Sequence, residues 1–278
     1  MKNGLLMCVV TAVLAVMVSF GAPAAYAQGG LNLGWGAFCP TNVLSLGDQT
    51  DPCDGTSLAT YQLVGSVKLP STLSQVLAEE TSIDFEENAV ALSDYWHIED
   101  QDQPGQSNPP GCRGTANTGP TAGNVGSLSF QITNALMPTN APCVKFWGTA
   151  PSGGVNYQPG VTSPNRARLL GHYAKSPGSQ MTAGVQYYSF VAFIDTNHQI
   201  DDPLNPPNYI CAGCADGVCI VYNEVIVRQP PGNPGGDILV SNQDIRRFVT
   251  WQGGSGSLSC QSVPVRRKTW GQLKSQYR

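Results

Sequence analysis

Charge is scarce in this chain: of 278 residues, 15 are Lys or Arg, 19 are Asp or Glu and three are His. A protein that grips a polyanion needs a basic surface with aromatic platforms among the cations. The formal net charge here is −4, so nucleic acid is excluded as a natural partner. With His97, His172 and His198 as the whole supply of imidazole, there is no H-E-x-x-H metal motif, and no G-x-S-x-G nucleophile elbow occurs. Beyond the first twenty residues no apolar run is long enough to span a membrane. Helical periodicity is almost missing, which argues against a bundle or a βαβ enzyme.

Glycine and proline, by contrast, are plentiful at 31 and 21 residues, and they separate short apolar segments in the manner of a loop-rich β protein. The opening MKNGLLMCVVTAVLAVMVSFGAPAAYAQ has a basic Lys2, an apolar run and an Ala25-Tyr26-Ala27 end. It reads as a secretory signal peptide, residues 1–27, cleaved after Ala27. Cys8 leaves with it, and eight of the nine cysteines remain: Cys39, Cys53, Cys112, Cys143, Cys211, Cys214, Cys219 and Cys260. An even count in an exported chain predicts disulfides. Charge then divides unevenly, with residues 28–227 at net −11 and residues 228–278 at net +6. The expected organisation is a β-sandwich domain over 28–230 and a basic C-terminal extension over 231–278 docked on it, with RQPPGNPGGD as the linker.

Period-two patterning places the strands. LATYQLVGSVKL sets Tyr61, Leu63, Val67 and Leu69 on one face. SIDFEE, VGSLSFQIT, RARLLGHYA, VQYYSFVAFID, CIVYNEVIV, ILVS and RRFVTWQ read the same way. Residues 71–80, with Leu73, Val76 and Leu77 at helical spacing, predict a turn or two of helix. TWGQLKSQYR predicts a terminal helix, with Thr269 and Gln272 at capping-box spacing. In MTAGVQYYSF, Met181, Gly184 and Tyr187 resemble the L-x-P-G-T-x-Y tyrosine corner of immunoglobulin-like and fibronectin-type sandwiches, with Ala183 in place of the proline and Val185 in place of the threonine. Jelly-roll modules carry a similar entry into a strand. The expected fold is therefore all-β: a disulfide-stapled antiparallel β-sandwich, immunoglobulin-like or jelly-roll, with a short C-terminal extension and a terminal helix.

PNRAR, CAGC with VCIVYNEV, WQGG and the terminal TWGQLKSQYR together resemble a group of secreted, functionally uncharacterised bacterial proteins. GSVKLP, SIDFEE and CRG add weaker support. The resemblance implies a common extracellular architecture, and it carries over no catalytic residue.

The cysteine-rich CAGCADGVC admits three chemistries. Zinc would take Cys211, Cys214 and Cys219 with Cys260 or His198, but a second close pair of ligands is missing. A redox C-x-x-C needs a helix N-terminus, and a strand follows instead. The Asp216-Gly217 turn favours a hairpin that sets Cys214 opposite Cys219, so a staple between these two is expected. Cys211 is then left for Cys260, Cys39 bridges locally to Cys53, and Cys112 pairs with Cys143.

Other chemistry is thin. Asp195, Asn197, Gln199 and Asp201 alternate like the oxygens of a calcium loop. Ile200 occupies the place of the turn glycine and no glutamate closes the loop, so a solvated loop is preferred. Asp84, Glu86 and Glu87 could join a glycosidase-like carboxylate pair. Tyr95, Trp96 and Trp147 are the candidate sugar-stacking residues, with core packing as the competing use. No cofactor is expected. The function expected is a secreted, non-catalytic module of the cell surface or matrix that is structural or binds a glycan or surface protein. A hydrolase of extracellular polymer is the alternative.

Overall fold

The computed structural model describes residues 29–40, 47–54, 59–96, 114–116, 127–131, 142–148, 152–196, 213–254 and 260. The expected signal peptide and terminal helix, the linkers around them, and Cys112, Cys211, His97, Asn197, His198 and Asp201 lie outside these residues. The regular structure of the described residues is almost entirely strand, with one short 3-10 turn at Asp94–Trp96. It forms two sheets. In the first, β1 (Gly30–Trp35), β3 (Thr60–Lys68), β9 (Gln186–Asp195), β6 (Ser127–Gln131) and β5 (Gly114–Ala116) lie in the order β1-β3-β9-β6-β5. In the second, β2 (Asp48–Gln49), β12 (Phe248–Trp251), β10 (Val218–Arg228), β4 (Leu73–Glu87), β8 (Arg166–Met181) and β7 (Ser152–Pro159) lie in the order β2-β12-β10-β4-β8-β7, and β11 (Ile238–Val240) also pairs with β10.

The strand expected at 58–69 is β3, and Leu63, Val67 and Leu69 are buried as the alternation predicts. Its other face, at Val64 and Ser66, is buried too. On the Leu63 face Gly65 stands opposite Phe190 of β9, and a Cβ there would come within 2.2 Å of the Phe190 ring. The expected helix at 71–80 is instead the first half of the 15-residue β4. The register of β4 against β8 slips between Leu73 and Val76 and again between Val76 and Ala78. Each slip restores the inward direction after an odd step, so Leu73, Val76 and Glu79 all point into the core and are fully buried. Apolar spacing of three, which reads as helix, is here the product of two bulges, and pairing with β8, joined on the other side by β10 from Ala78 onward, holds the segment extended.

The inner faces of the two sheets meet. Phe190 of β9 lies edge-on to Tyr222 of β10 with ring centroids 5.3 Å apart, and Trp35 of β1 meets Trp251 of β12 at 6.0 Å. One side is sewn shut by residues 242–246, between β11 and β12, which run along β1. Leu31 N donates to the Asn242 carbonyl at 2.7 Å, Leu33 N to the Arg246 carbonyl at 2.6 Å, and Asp244 N to the Leu31 carbonyl at 3.1 Å. Lys68 pairs with Asp244 at 2.6 Å on the same seam. The segment expected as a linker is a structured connection between β10 and β11. The Gln229 side chain donates to the carbonyls of Pro234 and Gly236, and Asp237 accepts from Gln229 N. Residues 231–254 thus contribute two strands to the seven-stranded sheet.

At the entry to β9, Thr182 N donates to the Tyr187 hydroxyl at 2.9 Å, with Gly184 at φ +74°. That is the backbone contact a tyrosine corner makes, formed although Ala183 and Val185 depart from the motif.

The disulfides overturn the expected pairing. Cys39 bonds Cys143, Cys53 bonds Cys214, and Cys219 bonds Cys260. The expected bridges Cys39–Cys53, Cys112–Cys143, Cys211–Cys260 and Cys214–Cys219 do not form. The Asp-Gly argument fails because residues 213–217 are not the tip of a hairpin: Asp216 N closes a turn on the Gly213 carbonyl, and β10 then pairs with β4 and β12 rather than with the CAGC segment. Cys214 is therefore carried to the Asp51–Cys53 turn. Cys219, opposite Glu86 of β4 and Thr250 of β12, alternates away from the core and holds Cys260 on the outer face of the seven-stranded sheet.

Candidate functional site

The residues expected to meet a sugar are inside the protein. Tyr95 and Trp96 sit on the 3-10 turn and are 2% and 1% exposed, and Trp147 is 2% exposed. No sugar can stack on rings so enclosed. Tyr95 and Trp96 fill one end of the core, where β1, β3, β4 and β12 supply Trp35, Tyr61, Phe85 and Trp251. Trp251 touches Trp35, Tyr61, Tyr95 and Trp96 with ring centroids 5.3 to 6.0 Å apart. Trp147 packs edge-on to Phe146, and the Lys175 ammonium lies 3.3 Å over the Phe146 ring while donating to the Phe146 carbonyl. Burial lowers the pKa of Lys175.

The candidate carboxylates are also engaged. Arg168 of β8 grips Asp84 of β4 through two bonds of 2.6 and 2.7 Å, one to each carboxylate oxygen, and Arg166, next on the same face, directs Nε and Nη2 to the single oxygen Oε2 of Glu86. Glu87 points to the other face and accepts from Ser93 N at 2.7 Å. Alternation puts Asp84 and Glu86 on the outer face of a sheet, each against its arginine, so they do not oppose one another across a gap. A bidentate arginine fixes a carboxylate's direction, which suits cross-strand stapling. Arg228 extends the ladder to Glu80 and Asp237.

Of the calcium candidates, only Asp195, the last residue of β9, has a described backbone position, and its side chain is not among the described groups. Among the described residues the one cluster with metal-ligand geometry is Asp51, Cys53 and Cys214, whose donor atoms lie within 4.8 Å of one another. The Cys53–Cys214 bond removes both thiolates, so the cluster is a staple. Asp51 organises it: its carboxylate accepts from Cys53 N and from the Tyr61 hydroxyl, each at 2.7 Å. Gln252 reaches the Asp51 and Cys214 carbonyls from β12, and Trp251 Nε1 donates to the Cys214 carbonyl.

The group that sequence reasoning missed is Glu79. It belongs to β4, points between the sheets and is completely buried. The Ser189 hydroxyl of β9 donates to Glu79 Oε1, which leaves Tyr222 Oη, 2.6 Å away, to donate to Ser189. Glu79 Oε2 meets no hydrogen-bond partner among the described residues. Burial without a cation pushes the Glu79 carboxyl up to about 8, so it is mainly neutral at pH 7. Burial, and then the proximity of Glu79, raises the Tyr222 and Tyr173 phenols well above their ordinary value. The result is a polar bridge from sheet to sheet, closed to water. Nothing in the sequence marks it, because Glu79 lies in the segment whose spacing reads as helix.

No family model, no curated protein and no solved structure matches this chain.

Proposed function

We propose that the protein is an exported β-sandwich that works outside the cytoplasm as a non-catalytic module, held rigid by disulfides and presenting its surface to an envelope or matrix partner. The observation that carries this reading is that the residues with chemical potential are built into the fold. Asp84 and Glu86 are clamped by Arg168 and Arg166, and Tyr95, Trp96 and Trp147 are enclosed. The three disulfides suit an oxidising compartment. The motif residues behind the resemblance to secreted bacterial proteins act in the same way. Asn165 of PNRAR caps the Glu87 carbonyl at 2.7 Å, Tyr222 joins the sheets and Gln252 binds the Cys53–Cys214 staple. Such a resemblance is one of architecture. Cys260 is tied through Cys219 to the outer face of the seven-stranded sheet, which brings the start of the basic tail to the body.

Incubating the oxidised protein with a panel of envelope polysaccharides, reading both retained protein and released reducing ends, tests the proposal. No release is expected, and any retention should survive the loss of single carboxylates. Release that Asp84→Asn or Glu86→Gln abolishes would establish the hydrolase instead. A chain ending at Cys260, rather than at residue 230, is the proper truncation, because β11 and β12 are part of the sheet.

A further inference from the structure

Among the described residues the sheet edges are covered or short with one exception. The edge of β1 is covered by residues 242–246, β2 has two residues, and β5 and β11 have three each. β7 is different. It pairs with β8 over eight residues in unbroken register, from Ser152 opposite Ala174 to Pro159 opposite Ala167, with no bulge. Among the described residues no strand pairs with its other side. Ser152, Gly153, Asn156 and Pro159 are exposed, and the segment SGGVNYQP contains no charge.

An edge strand presents N–H and C=O groups that only water or another extended backbone can satisfy. Natural edges are blunted by shortness, bulges, lysines or inward-facing charges. β7 has none of these, and its proline stands at the last residue. Its glycines do not protect it either. Gly153 is required by β8, since a Cβ there would strike the His172 carbonyl, while Gly154 has ordinary room beside the His172 ring.

We propose that β7 is a self-association edge, at which two copies of the chain pair antiparallel about a two-fold axis and join their seven-stranded sheets into one. The occupant follows from the edge itself. An uncharged strand offers no electrostatic selection for a foreign partner. A second copy brings an identical free edge, and one two-fold contact satisfies both. The pairing must keep inward residues opposite inward residues. Val155 and Tyr157 face the same way as buried Leu169, and Asn156 faces outward with half-buried Leu170. A two-fold centred on Val155 meets this condition and sets each Gly153 opposite a Tyr157. Self-pairing holds whether the module binds a glycan or only builds a surface.

Sedimentation velocity of the oxidised protein from about 1 to about 200 µM tests this, in the range where a small interface gives a reversible dimer. Ser152→Lys with Asn156→Lys, both outward and exposed, should weaken the dimer about tenfold or more by like-charge repulsion across the axis. In unmodified protein, amide hydrogen exchange of residues 152–159 should slow as concentration rises, a readout that does not depend on the variant folding. A monomer throughout the range, a dimer indifferent to the two lysines in a variant with an unchanged melting curve, or exchange at 152–159 that ignores concentration would each overturn the proposal.

Discussion

Glu79 shows what one buried residue can impose on this protein. Its carboxyl, raised by burial to about 8 from an ordinary value near 4.5, binds a proton in the folded state that the unfolded chain releases over that interval. Stability from this group is complete below about pH 4.5, falls as pH rises, and is lost above about pH 8. The slope is at most about 1.4 kcal/mol per pH unit. Denaturant midpoints measured from pH 5 to 9 should therefore decline, and Glu79→Gln, which stays neutral, should remove most of the decline. An unchanged slope in Glu79→Gln would assign the pH dependence to other groups. Gly65 acts through space instead of charge. Gly65→Ala places a methyl group 2.2 Å from the Phe190 ring, so a loss of about 1 to 3 kcal/mol is expected in urea unfolding.

At the scale of the element, the outer face of β4 and β8 distinguishes two kinds of ion pair. Asp84 is 4% exposed at its side chain, whereas the Glu80 and Asp237 partners of Arg228 are 46% and 40% exposed. Arg168→Leu leaves a buried carboxylate without its cation and should cost about 3 to 5 kcal/mol. Arg228→Leu should cost about 1 kcal/mol or less, because water screens that pair. Equal losses in the two variants would show that burial does not set the strength of this ladder. The elements themselves were mostly legible: β3, β8, β9, β10 and β12 lie where period-two alternation puts them, and Tyr187 makes the bond its corner motif implies. β4 was legible only from Ser82 onward. Before that, bulges at Leu73/Val76 and Val76/Ala78 imitate a helical repeat, and no local pattern separates a bulged strand from a short amphipathic helix.

For the whole molecule, covalent connectivity is the sharpest test. Peptide mapping of the oxidised protein should recover Cys39–Cys143, Cys53–Cys214 and Cys219–Cys260, and the proposed export then predicts by parity that Cys112 pairs with Cys211. A Cys214–Cys219 peptide would overturn the fold around β10. The bridges close sequence separations of 104, 161 and 41 residues, so none is local, and their reduction should bring a large loss of stability, about 4 to 5 kcal/mol for a single bridge in the chain-entropy model. The sequence by itself determined the class: scarce charge, abundant Gly and Pro, many cysteines and alternating apolar residues leave little but a stapled β protein. Tertiary structure alone decided which cysteines meet, which aromatics are enclosed, and that Glu79 faces the core. The reason is one of range. Alternation fixes which side of a strand a residue faces, but its partner is set by strand order, and strand order brings together residues more than a hundred positions apart.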